Sequence, residues 1–174
     1  MKKINKNKGL IFWITGISGS GKTTLSKKIS NFVKKNYGPT LVISGDDLRD
    51  IFKITGYSRK KRLIIAREYS KFCKLISDQK INIIFATGSL FHEIQKMNKR
   101  KLNNYIEIFI NSEIKILKSK KNKSFYKKKT NDVWGLDIIP QFPKNPDIIL
   151  TNNYNLNTNQ LSKKLISKIK MLKI

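Results

Sequence analysis

Short, nearly continuous apolar runs alternate along the chain with longer segments in which apolar residues recur every three or four positions. The short runs are typical of strands covered on both faces, and the longer segments are typical of amphipathic helices. We predict strands at residues 10–15, 40–44, 81–86, 105–110 and 147–150. We predict helices at residues 22–35, 46–52, 59–79, 91–102, 112–118 and 158–171. This alternation indicates an α/β fold whose strands run parallel.

The segment between the fourth and fifth predicted strands fits neither pattern. Residues 118–129 are mostly lysine, and residues 130–146 contain three of the four prolines. Long irregular segments inside a compact domain are usually functional or disordered. We therefore predict that residues 118–146 form a mobile lid.

Length and composition exclude several classes of protein. A chain of 174 residues that is 39% hydrophobic suits a single domain, residues 1–174, and is not compositionally disordered. No apolar run approaches the ~20 residues of a membrane-spanning helix, so we expect no membrane insertion. Cys73 and His92 are the only cysteine and histidine, which excludes an internal disulfide and a multi-histidine metal site. We predict that Cys73 lies in the core, and His92 either lies near the site or has no functional role.

The charge is the outlier, because 37 Lys and Arg residues oppose 11 Asp and Glu residues, for a formal charge of +26. Such an excess is typical of proteins that bind polyanions. Only five of the basic residues are arginine, however, and the chain is also rich in Asn and Ile, as in proteins from AT-rich genomes. We favour a solvated basic surface and consider nucleic acid an unfavoured partner.

Residues 16–23 match the phosphate-binding motif G-x-x-x-x-G-K-[ST], with a predicted strand before it and a predicted helix after it. Glycines let backbone N–H groups approach a phosphate, and the helix N-terminus adds partial positive charge. Lys22 is expected to reach the β- and γ-phosphates of ATP, and the Thr23 hydroxyl to bind Mg²⁺. The residues predicted to bind ATP are Gly16, Ser18, Gly19, Ser20, Gly21, Lys22, Thr23 and Thr24.

The N-terminus has some features of a secretory signal peptide. Four lysines among residues 2–8 precede a short apolar stretch at residues 9–14. That stretch runs directly into the phosphate-binding motif, which cleavage would remove or strand. We therefore expect a cytoplasmic protein.

Phosphoryl transfer to a hydroxyl needs a carboxylate near the acceptor or the metal. Asp46, Asp47 and Asp50 directly follow the predicted strand at residues 40–44, where open α/β folds bind their ligands. No carboxylate follows the third predicted strand, at residues 85–89, so no ordinary Walker B aspartate is visible. We predict that Asp46 is this catalytic carboxylate, near either the acceptor or the metal that Thr23 is expected to bind. Capping of a helix N-terminus is the alternative role for either Asp46 or Asp47.

These residues and four further stretches make the chain resemble the adenylylsulfate kinases, from about residue 9 to residue 152. Gly45-Asp46-Asp47-Leu48-Arg49 is similar to the family's G-D-N-x-R. Gly56-Tyr57-Ser58, followed by Arg62 and Arg67, is similar to its G-F-S-x-x-D-R-x-x-N-I-R. Phe125-Tyr126-Lys127-Lys128 is similar to its L-Y-K-K. Gly135-Leu136-Asp137, with the proline-rich run to Asp147, is similar to its G-I-D…P…N-P-E.

The resemblance implies a three-layer α/β P-loop kinase fold with a parallel five-stranded sheet and the first strand at its centre. It implies transfer of the γ-phosphate of Mg-ATP to the 3′-hydroxyl of adenosine 5′-phosphosulfate, and a possible homodimer. Further roles follow residue by residue. Arg49 and Arg62 clamp the 5′ anionic group, Tyr57 stacks on the acceptor base, and Ser89 lies at the acceptor site. Lys127 and Lys128 close over the transferring phosphate as catalytic residues. Trp134 either stacks on the base or covers the core.

The chain departs from the family pattern on the acceptor side. Lys61 stands in place of an aspartate, and Ile65 in place of an asparagine that recognises the acceptor. Thr87 and Gly88 replace two bulky residues of the expected base site. These changes leave open a non-adenylyl acceptor, such as cytidine diphosphoramidate for surface-polysaccharide modification. Another small P-loop kinase and a basic nucleic-acid-binding P-loop protein are further alternatives.

Overall fold

The computed structural model describes residues 4–119, 134 and 137–174. Within these residues, five parallel strands form one sheet in the order β2-β3-β1-β4-β5. The strands are β1 (Ile11–Thr15), β2 (Thr40–Ser44), β3 (Asn82–Thr87), β4 (Tyr105–Asn111) and β5 (Ile148–Thr151). The helices are α1 (Lys22–Tyr37), α2 (Gly45–Ile51), α3 (Arg59–Asp78), α4 (His92–Lys101), α5 (Ile114–Ser119) and α6 (Thr158–Met171). Each predicted element is present, with bounds within two residues of the prediction.

Helices cover both faces of the sheet, which gives the predicted three-layer α/β fold with β1 at its centre. Successive β1 residues point to opposite faces, so Trp13 packs with α3 and α4 while Phe12 packs with α1 and α6. Both side chains are completely buried. Because both faces are covered, the strands need no polar alternation, and the sequence shows continuous apolar runs.

Cys73 lies on α3, fully buried in the cluster on the Trp13 side, as predicted. Burial raises the pKa of its thiol well above the ordinary value. The thiol is therefore uncharged at neutral pH and serves as a small apolar side chain of the core.

Glu107 is an exception within this apolar core. Its side chain is only 1% exposed, on the α4 side of β4, where Tyr105 donates a hydrogen bond to it and the Lys99 Nζ lies 3.4 Å away. Burial raises the pKa of this carboxyl above its ordinary value, and the Lys99 ammonium partly opposes the rise. Glu107 is therefore a buried acid whose neighbouring cation is the partly exposed Lys99.

The carboxyl ends of the parallel strands position the candidate site. The phosphate-binding loop follows β1, Gly45 follows β2 and Gly88 follows β3, so all three segments meet at one edge of the sheet. This is where open α/β sheets place ligands. None of the helices in the described part of the chain is long and apolar enough to cross a membrane.

Candidate active site

A cleft of about 340 Å³ lies at this edge of the sheet. It brings together predicted site residues from the segments that follow β1, β2 and β3, from the N-terminal half of α3 and from position 134. The predicted residues that line it are Ser18, Gly19, Gly21, Lys22, Thr23, Thr24, Asp46, Arg49, Tyr57, Arg62, Ser89 and Trp134. The residues predicted to bind ATP and those predicted to bind the acceptor therefore face one common cleft.

The phosphate-binding loop forms one wall of the cleft. Gly21 is the N-cap of α1 at φ 95°, a left-handed conformation that favours glycine, and no side chain caps the helix. The first N–H groups of α1 thus remain available to an anion. The Lys22 ammonium donates to the Ile17 carbonyl oxygen, with Nζ 2.8 Å away, which holds the cation against its own loop.

The two neighbouring aspartates after β2 have different roles. Asp47 forms a capping box with Ser44: its Oδ2 accepts from the Ser44 backbone N–H and hydroxyl, each at 2.7 Å, and its own N–H donates back to Ser44 Oγ. Asp46 is exposed in the cleft and its carboxylate has no hydrogen bond to the described residues. Asp47 therefore caps α2, and Asp46 is the carboxylate that faces the loop.

Tyr69 also lines the cleft, and sequence reasoning missed it. Its hydroxyl donates to the Gly45 carbonyl oxygen at 2.7 Å. A Cβ on Gly45 would lie 2.9 Å from the Tyr69 ring, so only glycine permits this contact. Burial raises the pKa of Tyr69, while the nearby Arg49 guanidinium opposes the rise. The sequence could have indicated Tyr69 through helical spacing, because Tyr69 follows Arg62 by two turns of α3 and lies on the same face of the helix.

Two arginines and one tyrosine form one wall of the cleft, here named the acceptor wall because these residues are predicted to bind the acceptor. The guanidinium carbons of Arg49 and Arg62 lie 4.5 and 5.0 Å from the centre of the Tyr57 ring. Backbone carbonyls hold both cations: Arg49 donates to Gly56 at 3.1 Å, and Arg62 donates to Tyr57 at 2.7 Å. Tyr57 is 48% exposed. The predicted pair of cations is thus assembled around the predicted aromatic residue, in position to receive an anion.

Trp134 occupies the space beside Gly88. A Cβ on Gly88 would lie 3.5 Å from both Cδ1 and Nε1 of the indole. Phe91 meets the indole edge to face at 5.0 Å, and the Arg62 guanidinium lies 5.5 Å from its centre. The indole is 1% exposed and belongs to the core cluster. The indole therefore lies directly against the position where the family pattern has a bulky residue, and its stacking on a base stays a prediction.

Other departures from the family pattern also lie in the cleft. Ile65, which is 9% exposed, presents an apolar surface there. The hydroxyls of Thr87 and Ser89 bond to each other at 2.9 Å. Phe91 and Ala86 complete this wall and had not been singled out from the sequence. The acceptor wall is therefore more apolar than the family pattern implies.

Some predicted residues lie elsewhere. Gly16 and Ser20 shape the loop without lining the cleft, and the Ser20 hydroxyl is buried. Lys127 and Lys128 lie outside the described residues, as does most of the predicted lid. Its last part, residues 137–146, is hydrogen-bonded to α4, where the Gln95 amide and the His92 ring contact the carbonyls of Gln141 and Phe142. His92 does not line the cleft.

Two oxygen donors that could hold a divalent cation line the cleft, the Thr23 hydroxyl and the Asp46 carboxylate. This oxygen set fits Mg²⁺, which is usually held by one or two protein oxygens and by substrate phosphates. No group of three or more His, Cys, Asp or Glu side chains suited to a metal occurs among the described residues.

Comparison with known proteins agrees with this geometry. Residues 8–151 match the family model described as adenylylsulphate kinase. The chain is 33% identical over 168 residues to the cytidine diphosphoramidate kinase of Campylobacter jejuni, covering 94% of this chain and 98% of that protein. It is 27% identical over 158 residues to the adenylyl-sulfate kinase of Clostridium kluyveri, covering 87% and 79% respectively.

A solved structure shares the fold. The APS kinase of Mycobacterium tuberculosis, solved in complex with AMPPNP and APS, superposes with a TM-score of 0.81 at 23% identity, covering 94% of this chain and 98% of that one. Its fold supports the three-layer architecture but not a particular substrate. Given the family match and the phosphate-binding loop facing Asp46 across one cleft, the chain belongs to the adenylylsulphate kinase family of ATP-using enzymes and is a nucleotide kinase, a phosphotransferase that acts on a hydroxyl group.

Proposed function

We propose that this kinase transfers the γ-phosphate of Mg-ATP to the 3′-hydroxyl of a nucleotide that carries a conjugated 5′ anionic group. The bond between the γ-phosphorus and its bridging oxygen to the β-phosphate breaks, and a bond to the acceptor O3′ forms. ADP leaves, and the acceptor loses its hydroxyl proton. The observation that carries this proposal is the Asp46 carboxylate, which has no hydrogen bond to the described residues and shares one cleft with Lys22.

The ATP side rests on the phosphate-binding loop. Lys22 leaves the Ile17 carbonyl to contact the β- and γ-phosphates, and the uncapped N-terminus of α1 stabilises their negative charge. Thr23 and Asp46 would hold Mg²⁺, which neutralises charge on the phosphates when bound. Asp46 also accepts the proton of the acceptor hydroxyl, since no other carboxylate of the described residues lines the cleft.

The acceptor side rests on Arg49 and Arg62. Two guanidinium groups around one partly exposed tyrosine suit a ligand that combines an anionic group with a flat base. The anionic group would replace the backbone carbonyls as the partner of the arginines, and the base would stack on Tyr57. Lys127 and Lys128 complete the proposal as cations that close over the transferring phosphate.

A second candidate concerns the acceptor. Among acceptors of this class, cytidine diphosphoramidate is favoured by the 33% identity to a kinase of that name over nearly the full length of both chains. The Ile65 surface and the indole beside Gly88 change the part of the cleft where the family pattern has polar and bulky groups. Adenylylsulfate stays the alternative within the same chemistry.

The experiment is ADP release from Mg-ATP with a panel of acceptors. The panel contains adenylylsulfate, AMP, CMP, CDP and cytidine diphosphoramidate, and Asp46→Asn is the inactive control. Turnover of adenylylsulfate alone would refute the cytidine candidate, and turnover of the cytidine conjugate alone would establish it. If no acceptor raises ADP release above that of the Asp46→Asn variant, the proposed function is wrong.

Two further expectations concern the location and the oligomeric state of the enzyme. We expect the enzyme in the cytoplasm, where ATP and nucleotide conjugates are available. We also expect a homodimer, which size-exclusion chromatography with light scattering would test. An APS kinase from Thiobacillus denitrificans that shares the fold, with a TM-score of 0.69, is described as hexameric.

A further inference from the structure

The turn that follows β5 contacts the phosphate-binding loop through two side chains that do not line the cleft. Asn152 is 6% exposed, and its Nδ2 donates to the Ser20 carbonyl oxygen at 2.9 Å, across 132 positions of sequence. The Tyr154 hydroxyl donates to the Gly19 carbonyl oxygen. Two consecutive carbonyl groups of the loop are therefore held by side chains of one short turn.

The turn is itself fixed in place. The Asn152 N–H donates to the Asn111 carbonyl at 2.8 Å, and the Ser112 hydroxyl donates to the Asn152 carbonyl at 2.8 Å. Asn152 Oδ1 accepts from the Tyr154 N–H at 3.2 Å. Asn152 therefore has its backbone tied to the end of β4 and both side-chain polar atoms bonded. An amide in this position has little freedom to rotate.

Because the peptide bond is planar, a side chain that fixes a carbonyl group also fixes the direction of the N–H group of the same peptide. In a trans peptide the C=O and the following N–H point in opposite directions. The peptide that joins Gly19 to Ser20 is held at both ends, because the Ser20 N–H also donates to the Ile17 carbonyl at 3.2 Å. The peptide that joins Ser20 to Gly21 is held only at its carbonyl, by Asn152. Its N–H, on Gly21, has no partner among the described residues and belongs to a residue that lines the cleft.

We propose that Asn152 is a positioning residue for the phosphate groups of ATP, which acts by aiming the Gly21 N–H into the cleft, and that Tyr154 braces the same loop. This inference rests on the proposed use of ATP. Burial raises the pKa of Tyr154, so its hydroxyl stays protonated and can donate at neutral pH. Neither residue touches the nucleotide in this account, since both contact the carbonyl side of the loop.

The test measures the affinities of four variants by calorimetric titration, once with AMPPNP and once with whichever of adenylylsulfate and cytidine diphosphoramidate the native enzyme turns over. Asn152→Asp replaces the donating amide with an acceptor of the same shape, and Asn152→Ala removes it. Tyr154→Phe removes only the hydroxyl. Asn153→Ala is the matched control, because the side chain of Asn153 lies in the same turn but donates to Glu113 at 3.3 Å instead of to the loop.

We expect AMPPNP binding to weaken roughly 10- to 100-fold in the two Asn152 variants, as for loss of one hydrogen bond to a charged group, and less in Tyr154→Phe. Acceptor affinity should stay within about twofold, because the acceptor wall belongs to other elements. In protein labelled on its nine glycines, AMPPNP should move the Gly21 amide resonance less in Asn152→Asp than in the native protein, because Asn152 holds the carbonyl of the same peptide. A merely structural role would not separate the two ligands in this way.

The inference is overturned if folded Asn152→Asp and Tyr154→Phe bind AMPPNP as tightly as the native protein does. It is also overturned if Asn153→Ala loses as much AMPPNP affinity as the Asn152 variants lose. If the Asn152 variants fail to fold, the Tyr154→Phe result decides alone. Failure of the proposed function looks different: the native protein would then bind no AMPPNP, or would bind it and release ADP with none of the acceptors, whereas failure of this inference leaves both native activities intact.

Discussion

Asp46 and Asp47 are adjacent and chemically identical, yet the structure predicts opposite consequences when each is changed to asparagine. Asp47→Asn keeps the shape of the capping box but removes the charge that accepts two hydrogen bonds from Ser44 at 2.7 Å. A bond to a charged group contributes about 1 kcal/mol more than a neutral one, so we expect a loss of about 1–2 kcal/mol of stability. For a domain of this size that lowers Tm by roughly 2–8 °C.

Asp46→Asn should do the reverse. Its exposed carboxylate has no hydrogen bond to the described residues, so stability should change by less than about 0.5 kcal/mol. A general base contributes typically ~10²–10⁴-fold to rate, and we expect kcat to fall by that factor. Urea denaturation gives the free energy of unfolding of each variant, and steady-state ADP release gives its kcat. Both are measured at a temperature well below either Tm.

We therefore expect stability to be lost in Asp47→Asn and kcat to be lost in Asp46→Asn. Loss of catalysis in Asp47→Asn at native stability would refute the assigned roles. Retention of more than a tenth of native kcat in Asp46→Asn would refute them as well.

Substitutions at three further positions test other parts of the structure. The raised pKa of Glu107 in the folded protein stabilises the fold while the carboxyl is protonated, and this contribution is lost when the carboxyl ionises. The stability of Glu107→Gln relative to the native protein should therefore increase as pH rises from about 4.5 to 7. Urea denaturation of both proteins at the two pH values measures the difference. Gly88→Ala should be tolerated, since its Cβ meets the Trp134 indole at 3.5 Å, whereas the larger Gly88→Val should raise the acceptor KM and not the ATP KM. Arg62→Lys should raise the acceptor KM by roughly tenfold, because an ammonium cannot make the planar fork; equal KM values would contradict the anion-clamp role.

The sequence alone determined the elements and the nucleotide side of the site. The hydrophobic pattern of each strand and helix depends only on neighbours in sequence. Because helices cover both faces of the sheet, each strand is a continuous apolar run that is easily told from the periodic pattern of the helices. The phosphate-binding motif is also local, because its strand, glycines, lysine and helix are contiguous between β1 and α1. Its position at the carboxyl edge of the sheet then follows from strand direction alone.

The tertiary structure decided which of two aspartates faces the cleft. Asp is favoured both as a cap and as a catalytic carboxylate, so composition cannot separate the roles of Asp46 and Asp47. The helix geometry separates them, because Asp47 points back to Ser44 while Asp46 lines the cleft. A difference of one position in a helix rotates a side chain by about 100°, which is enough to move a carboxylate from a cap to a site.

Contacts across long sequence separations were beyond the reach of the pattern. Helical spacing places Tyr69 on the face of α3 that carries Arg62, but the hydrogen bond from its hydroxyl to Gly45 depends on how α3 packs against the end of β2. Asn152 lies in an unremarkable polar turn, and its bond to Ser20 exists because β5 and the phosphate-binding loop end at the same edge of the sheet. Periodicity encodes which face of an element is buried, whereas the partner that an individual polar group finds depends on how separate elements are brought together, and that is decided only when the chain has folded.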